Sequence, residues 1–530
     1  MSDQFDDQHG LLSSPIPITF SKIYLNGAYS APHSPNTFSL VNPKDNTLVA
    51  NRIPVADNVD IDIAVAAAEA AFKGPWANFS AAERSSCFYR LVDLLEDELP
   101  SILHLDSLTT GNPVSLIPTR ERNYIRSCLL YYAGWTDKQR GDYFPDDDGF
   151  FKLVRHEPLG VCVAINPYNS PVASLFIKAA PCLATGNVLI VKPSEKSPLG
   201  SLAVAPLFGK AGFPPGVIQV LTGDGSTGAW LASHMRISFT GSVATGKKIQ
   251  VAAAQSNLKR VTLELGKLKC ALCPWVNQLL TSSSGGKSPA IIFDDADIEN
   301  AVTWYFTQIS SISVARAVGL TTFRAVNGIL ARTGQVCVAA SRVYVQRAIS
   351  SRFIELYCAA MRDAVNDIGD PQNVKYKFGP LVDSASYDKV QEMIARAKTE
   401  SELVVGGGRI GEQGLFLEPT VFLNPKPDAH IYKDEVFGPV SVIKTFDTEE
   451  EVVKLSNDTE YGLMAGIFTR DISRAMRLSV AIESGVVGIN CVSMMNIQVP
   501  FGGKKQSGTG REFGEYVRDP AIQFPKTVEP

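Results

Sequence analysis

In "IDIAVAAAEAAFKGPW", which starts at Ile61, alanines and aliphatics recur at helical spacing and stop at Gly74-Pro75, predicting a helix with an abrupt end. "AAERSSCFYRLVDLLEDELPSILHL" reads as a second amphipathic helix. The pattern then changes. "LGVCVAIN", "NVLIVKP", "GVIQVLTG", "MRISFTGS" and "KRVTLELG" are short aliphatic or β-branched runs, separated by helical stretches such as "ATGKKIQVAAAQSN". A second series follows, "AASRVYVQ", "SELVVGG", "EPTVFLN", "VSVIKTF", "AGIFTR" and "VVGIN", with helices such as "RFIELYCAAMRDAV" between its members. Strands alternating with helices predict parallel sheets covered on both faces. The expected fold is α/β, with two tandem parallel α/β domains and no internal repeat. The Gly-rich tail "PFGGKKQSGTGREFGEYVRDPAIQFPKTVEP" reads as a loop and closing arm.

Composition narrows the class. A length of 530 residues suits two or more cores. A formal charge of −4 gives no reason to expect nucleic acid or an anionic membrane as partner. The start, "MSDQFDDQHGLLSS", lacks the basic and apolar regions of a signal peptide, and no apolar run is long enough to span a bilayer. Nine scattered cysteines, an odd number, argue against a disulfide framework and for a reducing compartment. A cytoplasmic enzyme is the expectation.

Several residues can carry chemistry, each with a plainer reading beside it. Cys337, in the Gly-containing loop of "TGQVCVAASR", is a nucleophile if its pKa is lowered, and otherwise a small core residue. Glu264 ends the apolar strand "VTLELG", as a general base or as a salt-bridge partner. Asn169 in "INPYNSP" lies past a strand end, where its amide can donate to an oxyanion or cap the next turn. "SFTGSVATG" sets Gly241, Ser242 and Gly246 between a strand and a helix, where backbone N–H groups can meet a pyrophosphate, although the G-x-G-x-x-G fingerprint is absent. "VKPSE" puts Lys192, Ser194 and Glu195 at a strand end, to hold ribose hydroxyls or to form a solvated turn. No metal site is expected: the six histidines are scattered, and the one C-x-x-C, Cys270 and Cys273, has no partner pair.

Taken in order, "INPYNSP", "GNVLIVKPSEKSPLG", "SFTGSVATGKKI", "VTLELG", "GKSPAIIFDDADI", "GQVCVAASRVYVQ", "DEVFGPV" and "PFGGKKQSGTGRE" resemble the aldehyde dehydrogenase superfamily from about residue 21 to 528. The resemblance implies a Rossmann-like NAD-binding domain over 21–266, a catalytic domain over 286–492 and a small oligomerisation element to which 140–158 contribute. Residues 1–20 are then a flexible start and 493–530 the closing loop and arm. It implies oxidation of an aldehyde to an acid, with NAD as cofactor (NADP possible) and a homodimer or homotetramer as assembly. Cys337 matches the family's nucleophile, Glu264 its general base, and Asn169 the amide of its oxyanion hole. Lys192 and Glu195 match contacts to the adenosine ribose. Ser194 adjoins them, Ser242 lies where the pyrophosphate passes, and Glu435 and Phe437 match residues holding the nicotinamide ribose and ring. Ser170 and Ile177 fall where aromatic residues often line the substrate tunnel. With Val336, Val338, Met494, Met495 and Phe501 they imply a wider apolar passage, suited to a bulky aldehyde.

Two stretches break the pattern. About nineteen residues, Lys267 to Gly285, separate "LELG" from "GKSP", and about twenty, Tyr305 to Arg324, interrupt the approach to Cys337. A regulatory or substrate-covering loop, a thiol or zinc site at Cys270 and Cys273, and translated intron sequence are the three readings. The third is favoured. Gly266-Lys267 can be encoded GGTAAG and Trp304-Tyr305 TGGTAT, each with a donor-like GTA, and Leu280-Thr281 and Leu320-Thr321 can both be encoded CTAAC, a branch-point core. The alternative function that follows is a catalytically impaired relative, because added backbone between Glu264 and Cys337 threatens their positioning.

Overall fold

The computed structural model describes residues 20–234, 236–257, 259–266, 286–297 and 320–514. The first interruption, 267–285, lies outside these residues. So do 305–319 of the second, Cys270 and Cys273, and the arm beyond 514. The described residues fall into two compact units, one made of those within 1–42, 48–110 and 116–237, the other of those within 43–47, 111–115 and 238–530.

In the first unit Asp57 caps the helix Asn58–Lys73. Its carboxylate accepts the Asp60 N–H while the Asp60 carboxylate accepts that of Asp57, a reciprocal box contributing about 1 kcal/mol. Gly74 ends this helix and Pro75 opens the next turn, as the spacing predicts. The second helix runs over Ala81–Thr110, five residues beyond its expected end and straight through Pro100. Burial explains the extension, because every residue from Ile102 to Thr110 is covered. Strands Val161–Ile165, Val188–Lys192 and Ile218–Val220 pair in parallel in that order. The helices Pro171–Ala184 and Leu199–Lys210 connect them. Val188–Lys192 is buried along its whole length, as expected of a strand covered on both faces. Ile23–Leu25 and Ala28–Ser30 extend this sheet antiparallel. These two, and the hairpin Asp142–Phe144 with Lys152–Val154, are too short to show a period in the sequence.

The second unit holds a seven-stranded sheet in the order Glu402–Val405, Thr420–Leu423, Val440–Phe446, Arg342–Gln346, Pro289–Ile292, Met464–Phe468, Val486–Ile489. All pairs are parallel except the first. Alternate residues feed two cores: Ala290, Ile292, Val343 and Val345 pack on one face, Ile291, Tyr344, Val442 and Ile467 on the other. The segment after the first interruption thus becomes a central strand. The strand Val261–Gly266 pairs antiparallel with Gly508–Thr509, a strand within the tail that reads as loop. Among the described residues no helix is long and apolar enough to cross a membrane.

Candidate active site

Cys337 follows a strained turn. The helix Leu320–Leu330 runs into a short 3-10 segment in which Arg332, Thr333 and Gly334 all take left-handed backbone, φ 51°, 57° and 75°. Such conformations persist where packing over-determines them. Here the Thr333 hydroxyl donates to the Gly379 carbonyl at 2.9 Å, and the Gln335 side chain accepts the Val382 N–H at 3.1 Å. Cys337 keeps part of its surface open, Val336 is half-buried and Val338 is buried. Burial of the sulfur, then the charges of Glu435 and Glu264, push the thiol up to about 12. The backbone N–H groups of Cys337 and Val338 pull the other way.

Both carboxylates are themselves buried. Glu264 sits in the strand Val261–Gly266 opposite Gly508, and a Cβ placed on Gly502 would lie 3.0 Å from its Oε1. The tail therefore lies against this carboxylate, with Phe501 buried and its ring 6.1 Å from that of Phe513. The Glu435 Oε1 accepts the Gly286 N–H at 3.1 Å, and Gly286 abuts the Cys337 carbonyl so closely that a Cβ there would fall 1.7 Å from the oxygen. Phe437, half-buried, holds a left-handed φ of 60°. The Ser493 hydroxyl donates to the carbonyls of Val338 at 2.7 Å and Gly328 at 3.1 Å, bringing the exposed Met494 and Met495 to the nucleophile loop. Ser242 caps the helix Val243–Ser256 by accepting the Thr245 N–H at 3.1 Å. Gly246, one turn on, packs against Leu265, and Gly241 faces the ring of Phe239.

In the first unit Lys192 ends its strand buried, with Nζ 3.2 Å from the Pro193 carbonyl and 3.4 Å from a carboxylate oxygen of the half-exposed Glu195. Desolvation lowers the Lys192 pKa, opposed by Glu195 and Asp224. The Ser194 hydroxyl accepts the Lys196 N–H at 3.3 Å. The loop holding Asn169 is laced to this one. The Asn166 N–H donates to the Lys192 carbonyl at 2.9 Å, the Ser197 hydroxyl donates to the Tyr168 carbonyl at 3.0 Å, and Lys196 lies 4.9 Å over the Tyr168 ring. Ser170 precedes the helix Pro171–Ala184 without capping it, and Ile177 on that helix is half-buried. A carboxylate that accepts paired hydroxyls, held by a buried cation at a parallel strand end, is a donor set suited to a nucleoside ribose.

A sequence profile described as "Aldehyde dehydrogenase family" matches residues 29–270 and 320–525. The chain belongs to the aldehyde dehydrogenase family. Its matched stretches stop at 270 and resume at 320, so most of both interruptions falls between them. It is 38% identical over 519 residues to "Aldehyde dehydrogenase, cytosolic 1" of Elephantulus edwardii, covering 96% of this chain and 95% of that one. It is 39% identical to "Retinal dehydrogenase 2" of Mus musculus, covering 96% and 92%. The NAD+ complex of an aldehyde dehydrogenase from Bacillus cereus superposes with TM-score 0.84 at 34% identity, covering 95% of each chain. NAD-dependent oxidation of an aldehyde is the reaction class of this dehydrogenase, and an inactive relative is not favoured. Sequence reasoning passed over Gly286. It follows Gly285 at the end of the first interruption, and the adjacent glycine pair is the signal that could have found it.

Proposed function

We propose that Cys337 is the nucleophile, Glu264 the general base, and the Asn169 amide together with the Cys337 backbone N–H the oxyanion donors. The observation that carries this is geometric: Gly286 abuts the Cys337 carbonyl and donates its N–H to Glu435 at 3.1 Å, and Glu264 is buried near enough for its charge to act on the sulfur. The thiol is raised and not lowered, against the expectation for a resting thiolate. The Cys337 thiol first gives its proton to water, and the thiolate then attacks the aldehyde carbon and carries the substrate as a thiohemiacetal, whose oxyanion each donor stabilises by about 2.7–4 kcal/mol. Bound NAD supplies the hydride acceptor. Cys337 then holds the acyl group as a thioester, Glu264 takes a proton from water, and the hydroxide so formed releases the acid and restores the thiolate. Lys192, Ser194 and Glu195 hold the adenosine ribose, Glu195 favouring NAD over a 2′-phosphate by charge. Gly241 and Ser242 take the pyrophosphate, and Glu435 and Phe437 the nicotinamide ribose and ring.

Residues 21–266 are then the cofactor portion and 286–492 the catalytic portion. The passage formed by Ser170, Ile177, Val336, Val338, Met495 and Phe501 suits a bulky apolar aldehyde, a reading supported by the relative named for retinal. Tyr143, Phe144, Phe150, Phe151 and Leu153 are exposed on and between the strands Asp142–Phe144 and Lys152–Val154. This apolar hairpin is the subunit contact of a homodimer or homotetramer. The relative named cytosolic supports a cytoplasmic location.

The test is pre-steady-state NADH formation. Cys337→Ala abolishes the burst, whereas Glu264→Gln keeps it and loses steady turnover with a bulky aldehyde. A strong preference for acetaldehyde refutes the wide passage. A chain lacking 267–285 and 305–324, assayed beside the 530-residue form, is the more active; equal activity makes both segments native.

A further inference from the structure

Two cysteines meet at the end of the first unit's sheet opposite Lys192. Cys162 is the second residue of the strand Val161–Ile165, and Cys182 lies in the last turn of the helix Pro171–Ala184 that follows it. The two thiols are hydrogen-bonded to one another. Backbone contacts gather both at one place. The Cys162 Sγ lies 3.9 Å from the Gly160 carbonyl oxygen and the Cys182 Sγ 3.8 Å from that of Val188, while the Val188 N–H donates to the Gly160 carbonyl at 3.2 Å. A cation stands beside them, since a Cβ placed on Gly160 would lie 3.6 Å from a guanidinium nitrogen of Arg236. Both residues are half-buried, whereas Cys87, Cys128 and Cys358 are buried. The hydrogen bond from Cys182, opposed by burial and aided by the Arg236 charge, lowers the Cys162 pKa.

We infer that Cys162 and Cys182 are a modification site, a thiol pair that a hydroperoxide converts to an intrachain disulfide. A second thiol in contact with the first is what resolution of an oxidised cysteine requires. The Cys337 thiol, by contrast, is pushed up to about 12 and is a poor thiolate at neutral pH. The Cys162 thiolate attacks the peroxide. An S–O bond forms, the O–O bond breaks, and the departing oxygen takes up a proton equivalent to the one Cys162 lost, leaving as an alcohol, or as water from hydrogen peroxide. The Cys182 sulfur then attacks the sulfenic acid. An S–S bond forms, the S–O bond breaks, and the hydroxide leaves with the Cys182 proton as water. Two electrons pass from sulfur to peroxide, and a small thiol returns them by exchange. The bond joins the start of the strand to the end of the helix and closes a loop of 182 − 162 = 20 residues. The helix rises about 16 Å from Pro171 to Cys182, so the staple lies far from Asn169.

The experiment treats the reduced full chain with a small excess of hydrogen peroxide, blocks remaining thiols with N-ethylmaleimide, and maps the peptides by mass spectrometry without reduction. The peptides holding Cys162 and Cys182 are expected cross-linked, two hydrogens lighter than the thiol pair, before Cys337 is oxidised, and dithiothreitol separates them. Thermal unfolding of the oxidised chain shifts up by about 3 °C, and the shift is reversed by the same reductant. In Cys182→Ala the cross-link and the shift are both lost, and Cys162 is trapped by dimedone as its sulfenic acid. Full alkylation of Cys162 and Cys182 in a sample whose Cys337 is already oxidised overturns the inference, as does a disulfide from either cysteine to a different residue. A cross-link accompanied by a lowered midpoint assigns the bond to unfolded chain, and the inference fails. Should Cys182→Ala fail to fold, Cys162→Ala is judged by loss of the same cross-link.

Discussion

Replacing Gly286 by alanine adds one carbon at the point where the chain, returning from its first interruption, meets the nucleophile. That carbon would lie 1.7 Å from the Cys337 carbonyl oxygen, where real contacts essentially never fall below 3.0 Å. The two backbones must part by at least 3.0 − 1.7 = 1.3 Å. Neither side yields easily. Gly286 is held through its N–H by Glu435 and leads through the buried Lys287 and Ser288 into a central strand. Just past Cys337, the Val338 carbonyl is held by Ser493 and its side chain is buried. A misplacement of about 1 Å at a reacting group costs about 10²-fold in rate, equivalent to about 2.7 kcal/mol in the barrier. Gly286→Ala is therefore expected to lower kcat about a hundredfold or more in a stopped-flow assay of NADH formation, with circular dichroism showing the fold retained. Gly225→Ala is the control, because nothing lies within 4 Å of a Cβ there. A Gly286→Ala enzyme that turns over within twofold of the unsubstituted chain, with an unchanged melting temperature, would refute the close approach.

Two further outcomes are expected. The Cys337 thiol, pushed up to about 12, is protonated at neutral pH, and Glu435→Gln removes one of the charges that raise it. The thiolate fraction at pH 8 then grows, so iodoacetamide alkylation of the cofactor-free enzyme quickens and its pH profile moves to lower pH; an unchanged profile contradicts the electrostatic account. The fully buried Arg342 donates to the carbonyls of Lys287, Leu455 and Ser456 and to the Tyr344 hydroxyl, over distances of 2.8, 3.2, 2.9 and 3.2 Å. Arg342→Leu takes the guanidinium donors from the Lys287 and Ser456 carbonyls, while the Leu455 carbonyl keeps the Tyr344 hydroxyl at 3.0 Å and that hydroxyl keeps Tyr432 at 2.7 Å. The change should cost about 2–4 kcal/mol, read as a lower midpoint in denaturant, and Arg342→Lys should recover little because an ammonium cannot span the same fork.

The sequence by itself determined the alternation of strands and helices, the abrupt end of the first helix and the identity of the motif residues. Those are local matters of period and turn chemistry, as the fully buried Val188–Lys192 and the stop at Gly74-Pro75 illustrate. Strands of three residues, such as Ile23–Leu25, were illegible because they contain too few positions to establish a period. Pairing of Gly508–Thr509 with the strand that carries Glu264 was equally hidden, since nothing local marks a partner hundreds of residues away. Electrostatics followed the same division. That Cys337 is a thiol in a glycine-containing loop is written in the chain; that two carboxylates press its proton on, and that Gly286 has no room for a side chain, was decided only when distant backbones met. The contact of Cys162 with Cys182 belongs with these, because hydrogen bonding between side chains is a property of neighbours in space and not of neighbours in sequence.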